Sequence, residues 1–249
     1  MLELFTDPKS WILLGMGIVL SFWGGIIGGS SFFSVGLLQL LFPGAGFGVI
    51  IGNQKCSGMG RGLASLIVLW KEIEWRKIFP LIAFASAGTI VGASAIAQLN
   101  SKWLLPAIIV AIFFSELAPK ISKKFSRRHF LGASSALGLY TGFLGIGSGI
   151  AILALLRTQW PKNSDIMHLH IQKRIVIVIL NMIAVIAHGL HGNLVLAMWL
   201  PFFIGNFIGG TASSYLLLHM RKLSGKTQHH LLYASFAFAL IVALWKAFS

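Results

Sequence analysis

The chain reads as long apolar runs separated by short polar connections. Residues 11–42 form one run of 32 residues. That is longer than the roughly 17 to 25 residues a single crossing helix needs and too short for two. A glycine cluster from Gly24 to Ser31, GGIIGGSS, divides it, and Pro43-Gly44 ends it. Residues 45–70 form the next apolar segment, which carries Asn53, Gln54, Lys55 and Arg61. After the mixed-charge loop 71–77, residues 78–98 predict another crossing. Its small residues (Ala85, Ser86, Ala87, Gly88, Gly92, Ala93) allow close helix approach. Residues 103–118 form a shorter segment that ends near Glu116, and a basic loop follows at 119–128.

The second half repeats this plan. Residues 129–157 hold a second glycine cluster, Gly142 to Gly149 (GFLGIGSG), and residues 158–170 are polar. Residues 171–187 form a membrane segment that opens with Gln172-Lys173-Arg174. A neutral connection follows, then segments 194–218 and 229–248 with basic residues between them. At an offset of 117, Gly25, Gly28 and Ser31 match Gly142, Gly145 and Ser148. At 118, Pro43, Gln54 and Lys55 match Pro161, Gln172 and Lys173; at 121, Pro80 and Gly88 match Pro201 and Gly209. The conserved order of these matches predicts an internal duplication.

Loop charge then sets the topology. If each glycine-broken run returns to its starting side, loops 71–77, 119–128, 157–174 and 219–228 share one side. They carry a net twelve positive charges, against one for the opposite side. That bias makes the basic side cytoplasmic. The predicted fold is therefore an all-α integral membrane protein with two inverted-topology repeats. Each repeat is a glycine-broken re-entrant helical hairpin plus three transmembrane helices. Repeat 1 spans 11–118, a basic cytoplasmic linker 119–128, and repeat 2 129–248, all in one membrane domain over 1–249. The expected location is the inner (plasma) membrane, multi-pass, with both termini non-cytoplasmic. The first ten residues lack a basic stretch and no cleavage site stands out, so no cleavable signal peptide is expected.

Composition narrows the function. The chain is 56% hydrophobic and 10% charged, against about 25% charged for a soluble domain. The net charge of +14 lies in the loops, where it serves orientation and contact with anionic lipid; nucleic acid is not an expected partner. One cysteine, Cys56, leaves no intrachain disulfide and no cysteine-based metal cluster. No nucleophile–base constellation or phosphate-binding loop is visible, so no enzyme activity and no cofactor are expected. The oligomeric state is not legible.

The breaks are the candidate chemistry. A half-helix that begins at such a break presents unpaired N–H groups and its positive dipole end, a natural anion site. Gly28, Gly29, Ser30 and Ser31 in the first copy, and Gly145, Gly147 and Ser148 in the second, are candidate donors to a small anion. Tight helix packing is the plainer explanation of the same glycines. Gln54, Lys55, Gln172 and Lys173 are candidate polar lining, because a lysine at membrane depth costs about 2.5–3.5 kcal/mol on insertion scales. The plainer alternative is that the lysines snorkel to an interface. Arg61 has Glu116 as a prospective partner, and Glu116 and His188 are the few groups suited to proton coupling. His168-x-His170 and His188-x-x-His191 have spacings a metal could use, but the topology puts them on opposite sides, and no metal is expected. The predicted function is alternating-access transport of a small anion. The alternatives are an anion channel and a membrane-embedded His-dependent metalloenzyme.

Taken together, GGIIGGSSFFSVGLLQLLFP, TGFLGIGSGIAILALLRTQWP, the Gln-Lys after each, and the chain length resemble the sulfite exporter TauE/SafE family, also called the toluene sulfonate uptake permease family. The resemblance covers essentially the whole chain. It implies a carrier of sulfite, sulfonates or other small organosulfur anions. The chain departs from the usual pattern at Ser30-Ser31, where a further glycine is common, and has Ile171 where the first half has Asn53.

Overall fold

The computed structural model describes residues 5–26, 30–97, 99, 130–145, 148–160 and 165–221. Every regular element among them is helical. In a bilayer core each backbone polar group must be satisfied within the protein, and a helix does this within a single segment. The helices are α1 (Pro8–Ile26), α2 (Ser30–Leu41), α3 (Phe47–Leu69), α4 (Trp75–Ala97), α5 (Phe130–Phe143), α6 (Ser148–Leu156), α7 (Ile166–Leu190) and α8 (Leu196–Arg221), with a 3-10 turn at Trp70–Glu72. Four of them, α1, α4, α7 and α8, are long and apolar enough to cross a membrane. The expected segments 103–118 and 229–248 lie outside the described residues.

Both glycine clusters interrupt helix. α1 precedes the first, and α2, of 12 residues, follows it. α5 and the nine-residue α6 flank the second. At about 1.5 Å per residue, α2 and α6 span about 18 and 14 Å, too short to cross alone. α1 has 19 residues, about 28 Å, longer than the half-helix the sequence pattern suggested. α5 ends in a left-handed cap: Gly145 has φ 68° and its N–H donates to the Tyr140 carbonyl, so a glycine is needed there.

Two helix crossings rest on glycine. A Cβ on Gly88 would strike the Ser135 carbonyl and the Leu139 N–H, and a Cβ on Gly209 the Ile18 carbonyl and the Phe22 N–H. Ser135 and Leu139 each stand 117 positions after Ile18 and Phe22, the offset of the two glycine clusters. α4 thus meets α5 as α8 meets α1. In each pair residue numbers rise together: Ala85 faces Gly138 and Thr89 faces Gly142, while Gly17 faces Phe202 and Gly25 faces Ser213. Hydroxyls reinforce the crossings, Thr89 donating to the Gly138 carbonyl at 3.1 Å and Ser21 to the Asn206 carbonyl at 2.6 Å. Pro80 and Pro201 each occupy the sixth position of their helix.

α3 and α7 run antiparallel through the centre. Gly52 faces His188, Gly58 faces Asn181 and Gly62 faces Val178, and Ser65 meets Arg174. The start of α7 corrects one boundary. Asp165 is its N-cap, its side chain accepting from the Met167 N–H at 2.9 Å. Lys173 and Arg174 therefore lie about 11–12 Å inside the helix rather than in a loop. Both are buried. Without them, loop 157–174 carries +1 instead of +3, and the one-sided bias falls from twelve to ten against one.

The α4–α5 crossing is testable. Gly138→Ala places a methyl on the Ala85 backbone, and overpacking of this kind costs about 1–3 kcal/mol. Gly132→Ala, on the same helix with nothing within 4 Å of its Cβ, gains up to about 1 kcal/mol in helix propensity. Thermal unfolding in detergent should lower the melting temperature of the first and not of the second. Equal behaviour of the two would contradict the crossing.

Candidate functional site

The helix ends at the two breaks are each held by a cation from the other half of the chain. Arg174, on α7, reaches the first break. Its Nε donates to the Gly25 carbonyl at 3.1 Å, Nη1 to Ser214 Oγ at 2.9 Å and Ser65 Oγ at 3.2 Å, and Nη2 to Ser213 Oγ at 3.3 Å. Lys55, on α3, reaches the second break, where its Nζ donates to the Thr141 carbonyl in the last turn of α5. The last carbonyls of a helix lack intrahelical donors and carry the negative dipole end, so a cation suits both places. Glycine makes the approach possible: a Cβ on Gly25 would meet Arg174, and one on Gly145 would lie 2.5 Å from Lys55 Nζ.

Two further cations stand beside the starts of the following helices. Arg61 Nη1 donates to Ser30 Oγ at 2.6 Å, at the head of α2. Lys173 lies beside Gly149, in the first turn of α6, and its Nζ is 3.1 Å from His170 Nδ1. The charges of Arg61, Lys173 and Arg174 act on one another, whereas Lys55 acts on His188. Lys55 is 1% exposed and Lys173 and Arg174 6%, with Arg61 partly buried. Among the described residues none of the four is paired with a carboxylate. Buried charges without a counter-ion are costly, by several kcal/mol each. An anion that enters this seam removes that cost.

The predicted site residues divide. Ser30, Lys55, Gly145 and Lys173 lie at the breaks. Ser148 is at the second break, but its hydroxyl donates to the Gly145 carbonyl at 2.9 Å instead of facing outward. Ser31 lies in the first turn of α2, and Gln54 is buried on α3. Gly28, Gly29, Gly147 and Glu116 lie outside the described residues, as does the prospective Arg61–Glu116 pair. Gln172 is engaged elsewhere. Its Nε2 donates to the Glu72 carbonyl at 2.7 Å and its Oε1 accepts from the Glu74 N–H at 3.0 Å. It ties the 71–77 loop to α7. His168 and His170 serve different partners, Glu74 and Lys173.

Sequence reasoning missed Arg174, Thr141, Ser65, Ser213 and Ser214. Asp165 was the available signal for Arg174. Read as a helix cap, it starts α7 early enough to put Arg174 at membrane depth.

The loop clamp is a cluster of its own. Glu74 accepts from Trp160 Nε1 at 3.2 Å, pairs with Lys77 at 2.5 Å and meets His168 Nε2 at 2.5 Å.

Over residues 13–245 the sequence matches the protein family described as Sulfite exporter TauE/SafE. No curated protein and no solved structure matches it.

Glu74 gives the clamp a pH dependence. Burial alone would raise its carboxyl. Hydrogen bonds from Lys77, Trp160 and His168, with the Lys77 charge, outweigh burial and hold it below its ordinary value of 4.5. A group depressed in the folded state stabilises above its unfolded value, and that contribution is lost as pH falls through the lower folded value. The melting-temperature gap between wild type and Glu74→Gln should be constant above pH 4.5 and close below it. The gap should be small, because the carboxyl is partly exposed and screened. A gap that persists undiminished to the acid limit of folding would remove Glu74 from the clamp.

Proposed function

The chain belongs to the sulfite exporter TauE/SafE family, and we propose that it carries a small sulfur-containing oxyanion or organosulfonate by alternating access. The observation behind this reading is the seam of cations between α3 and α7, without a carboxylate partner among the described residues. Sulfite and sulfonate heads are compact acceptors with several oxygens, suited to guanidinium, ammonium and hydroxyl donors. Arg61, Lys173 and Ser30 form the core of the binding site, with Arg174 holding the break beside them. Gly28, Gly29, Ser31, Gly147 and Ser148 complete the breaks, and Gln54 lines the approach.

The architecture in this reading is a pair of inverted repeats with re-entrant hairpins. Helix registers support it. α8 follows α7 after a short connection, α1 runs parallel to α8, and α3 runs antiparallel to α7. The starts of α1 and α3 then fall at one end, so the chain between them goes in and comes back. The same reasoning on α4, α5 and α7 brings the second hairpin in from the opposite end. Such a plan places a site near the midplane, at the interface of the repeats. With the basic loops in the cytoplasm of an inner membrane, both termini are outside. Single cysteines at Lys9 and Lys222 should then react with an impermeant maleimide from opposite faces; labelling from the same face would overturn the hairpins.

Binding is tested by thermal unfolding of detergent-purified protein with sulfite, thiosulfate, methanesulfonate, sulfate, carboxylates and chloride. A ligand at ~100 times its dissociation constant stabilises by about 2.7 kcal/mol. A sulfur oxyanion should give that shift, and Lys173→Met and Arg61→Met, still melting cooperatively, should lose it. No shift with any anion would overturn the carrier reading. In proteoliposomes the flux should saturate with substrate, whereas flux that rises without saturation would point to a channel.

A further inference from the structure

We propose that Lys55, His188 and Thr141 form a second oxyanion subsite at the end of α5, separate from the Arg61–Lys173–Arg174 cluster, so that the protein holds two anions at once. This rests on the carrier reading above.

The first observation is unspent hydrogen-bonding capacity in a sealed place. His188 is 0% exposed, and neither of its ring nitrogens has a partner. Thr141 is 1% exposed, and its hydroxyl is also unpartnered. Buried polar atoms are nearly always satisfied, and an orphan costs about 1–3 kcal/mol. Three such atoms belong to two side chains linked to one buried ammonium, Thr141 through its carbonyl and His188 through the Lys55 charge that acts on it, and together they point to a ligand. Lys55 Nζ donates to the Thr141 carbonyl and has further N–H groups to give. The Thr141 hydroxyl and one imidazole N–H add donors of the same sense, and all suit an oxyanion.

The second observation is how the three are brought together. His188 packs on Gly52, where a Cβ would lie 3.0 Å from its ring. Gly52 is one helical turn before Lys55, so the imidazole and the ammonium share a face of α3. On the other side the left-handed Gly145 lets Lys55 Nζ lie against the break. Two glycines thus make room for two polar side chains whose donors remain in excess. Among the described residues, Lys55 and His191 are the charged or titratable groups whose field reaches His188.

The third observation is separation. Lys55 and Arg61 are six residues apart on α3, about 9 Å along the helix, and Ser65, which meets Arg174, is about 15 Å from Lys55. Lys55 acts electrostatically on His188, while the other three cations act on one another. Lys55 turns to the end of α5 and Arg61 to the head of α2, so one sulfite or sulfonate head does not reach both. The two subsites differ in chemistry, guanidinium and ammonium in one, ammonium, imidazole and hydroxyl in the other.

Equilibrium binding of radiolabelled sulfite and of methanesulfonate to the full chain in detergent decides the matter. The expected wild-type result is two anions per chain. Thr141→Val keeps the shape and removes only the hydroxyl, and His188→Gln keeps a polar group. Each should weaken one of the two sites by about tenfold or more and leave the other unchanged. Lys173→Met should do the reverse, sparing the site that the Thr141 variant weakens. Saturation at one anion per chain in wild type would overturn the second subsite and leave the carrier reading intact. So would an unchanged two-site isotherm in both the Thr141 and His188 variants, provided that they melt cooperatively. Binding of neither anion would overturn the subsite together with the carrier reading.

Discussion

A buried helix end must find donors for its last carbonyls, and that constraint organises this molecule. α1 stops at Ile26 and α5 at Phe143. Gly25 and Thr141 are buried, so protein groups rather than water must serve their carbonyls. In each case a cation from the other half arrives, Arg174 at Gly25 and Lys55 at Thr141. The exchange ties the two halves to each other. It also explains how Arg174 and Lys55 are accommodated. Each first meets a carbonyl and the negative end of a helix dipole, which offsets part of its desolvation.

Close packing makes the exchange possible. Glycines at 88, 138, 205 and 209 let α4 meet α5 and α1 meet α8 with backbone against backbone. In lipid the apolar tails compete with helix contacts on equal terms, so association depends on such packing and on hydrogen bonds. The two crossings use the same register, Gly88 on Ser135 and Leu139 as Gly209 on Ile18 and Phe22. Once both are fixed, the helix ends at the breaks face the antiparallel α3–α7 pair, where the cations sit. The serines at 65, 213 and 214 then complete the hydrogen bonding of Arg174 without adding charge.

Much of this was readable from residue order, and the failures have identifiable causes. The glycine breaks, the helical class and the placement of Lys55 followed from apolar run length and from the cost of a lysine at depth. Matching Lys55 to Lys173 by position did not point to Arg174, which is one residue on and crosses to Gly25. One residue turns a helix by about 100°, and no offset in a repeat decides which of two adjacent cations crosses the seam. Gln172 failed for a similar reason. It matches Gln54 in sequence, yet at α7 its neighbours are the loop groups Glu72 and Glu74. The extent of α7 was legible in Asp165, but only if that acid is read as a cap before the charges behind it are counted as loop.

The two breaks are alike in plan and unlike in what they leave free. At the first, the guanidinium divides its donors among four acceptors on three helices, so little of it remains for a ligand, and Arg61, with Lys173 from the start of α6, must supply the rest. At the second, an ammonium meets one carbonyl, and the hydroxyl and imidazole around it have no protein partner. A planar fork that bonds several groups in fixed directions fastens helices together, while a compact ammonium on a flexible stem holds its place and keeps donors to offer. An arginine at one break and a lysine at the other therefore leave a fastening in one place and unspent donors in the other. On the carrier reading, the two ends of the seam then differ in affinity for the same anion.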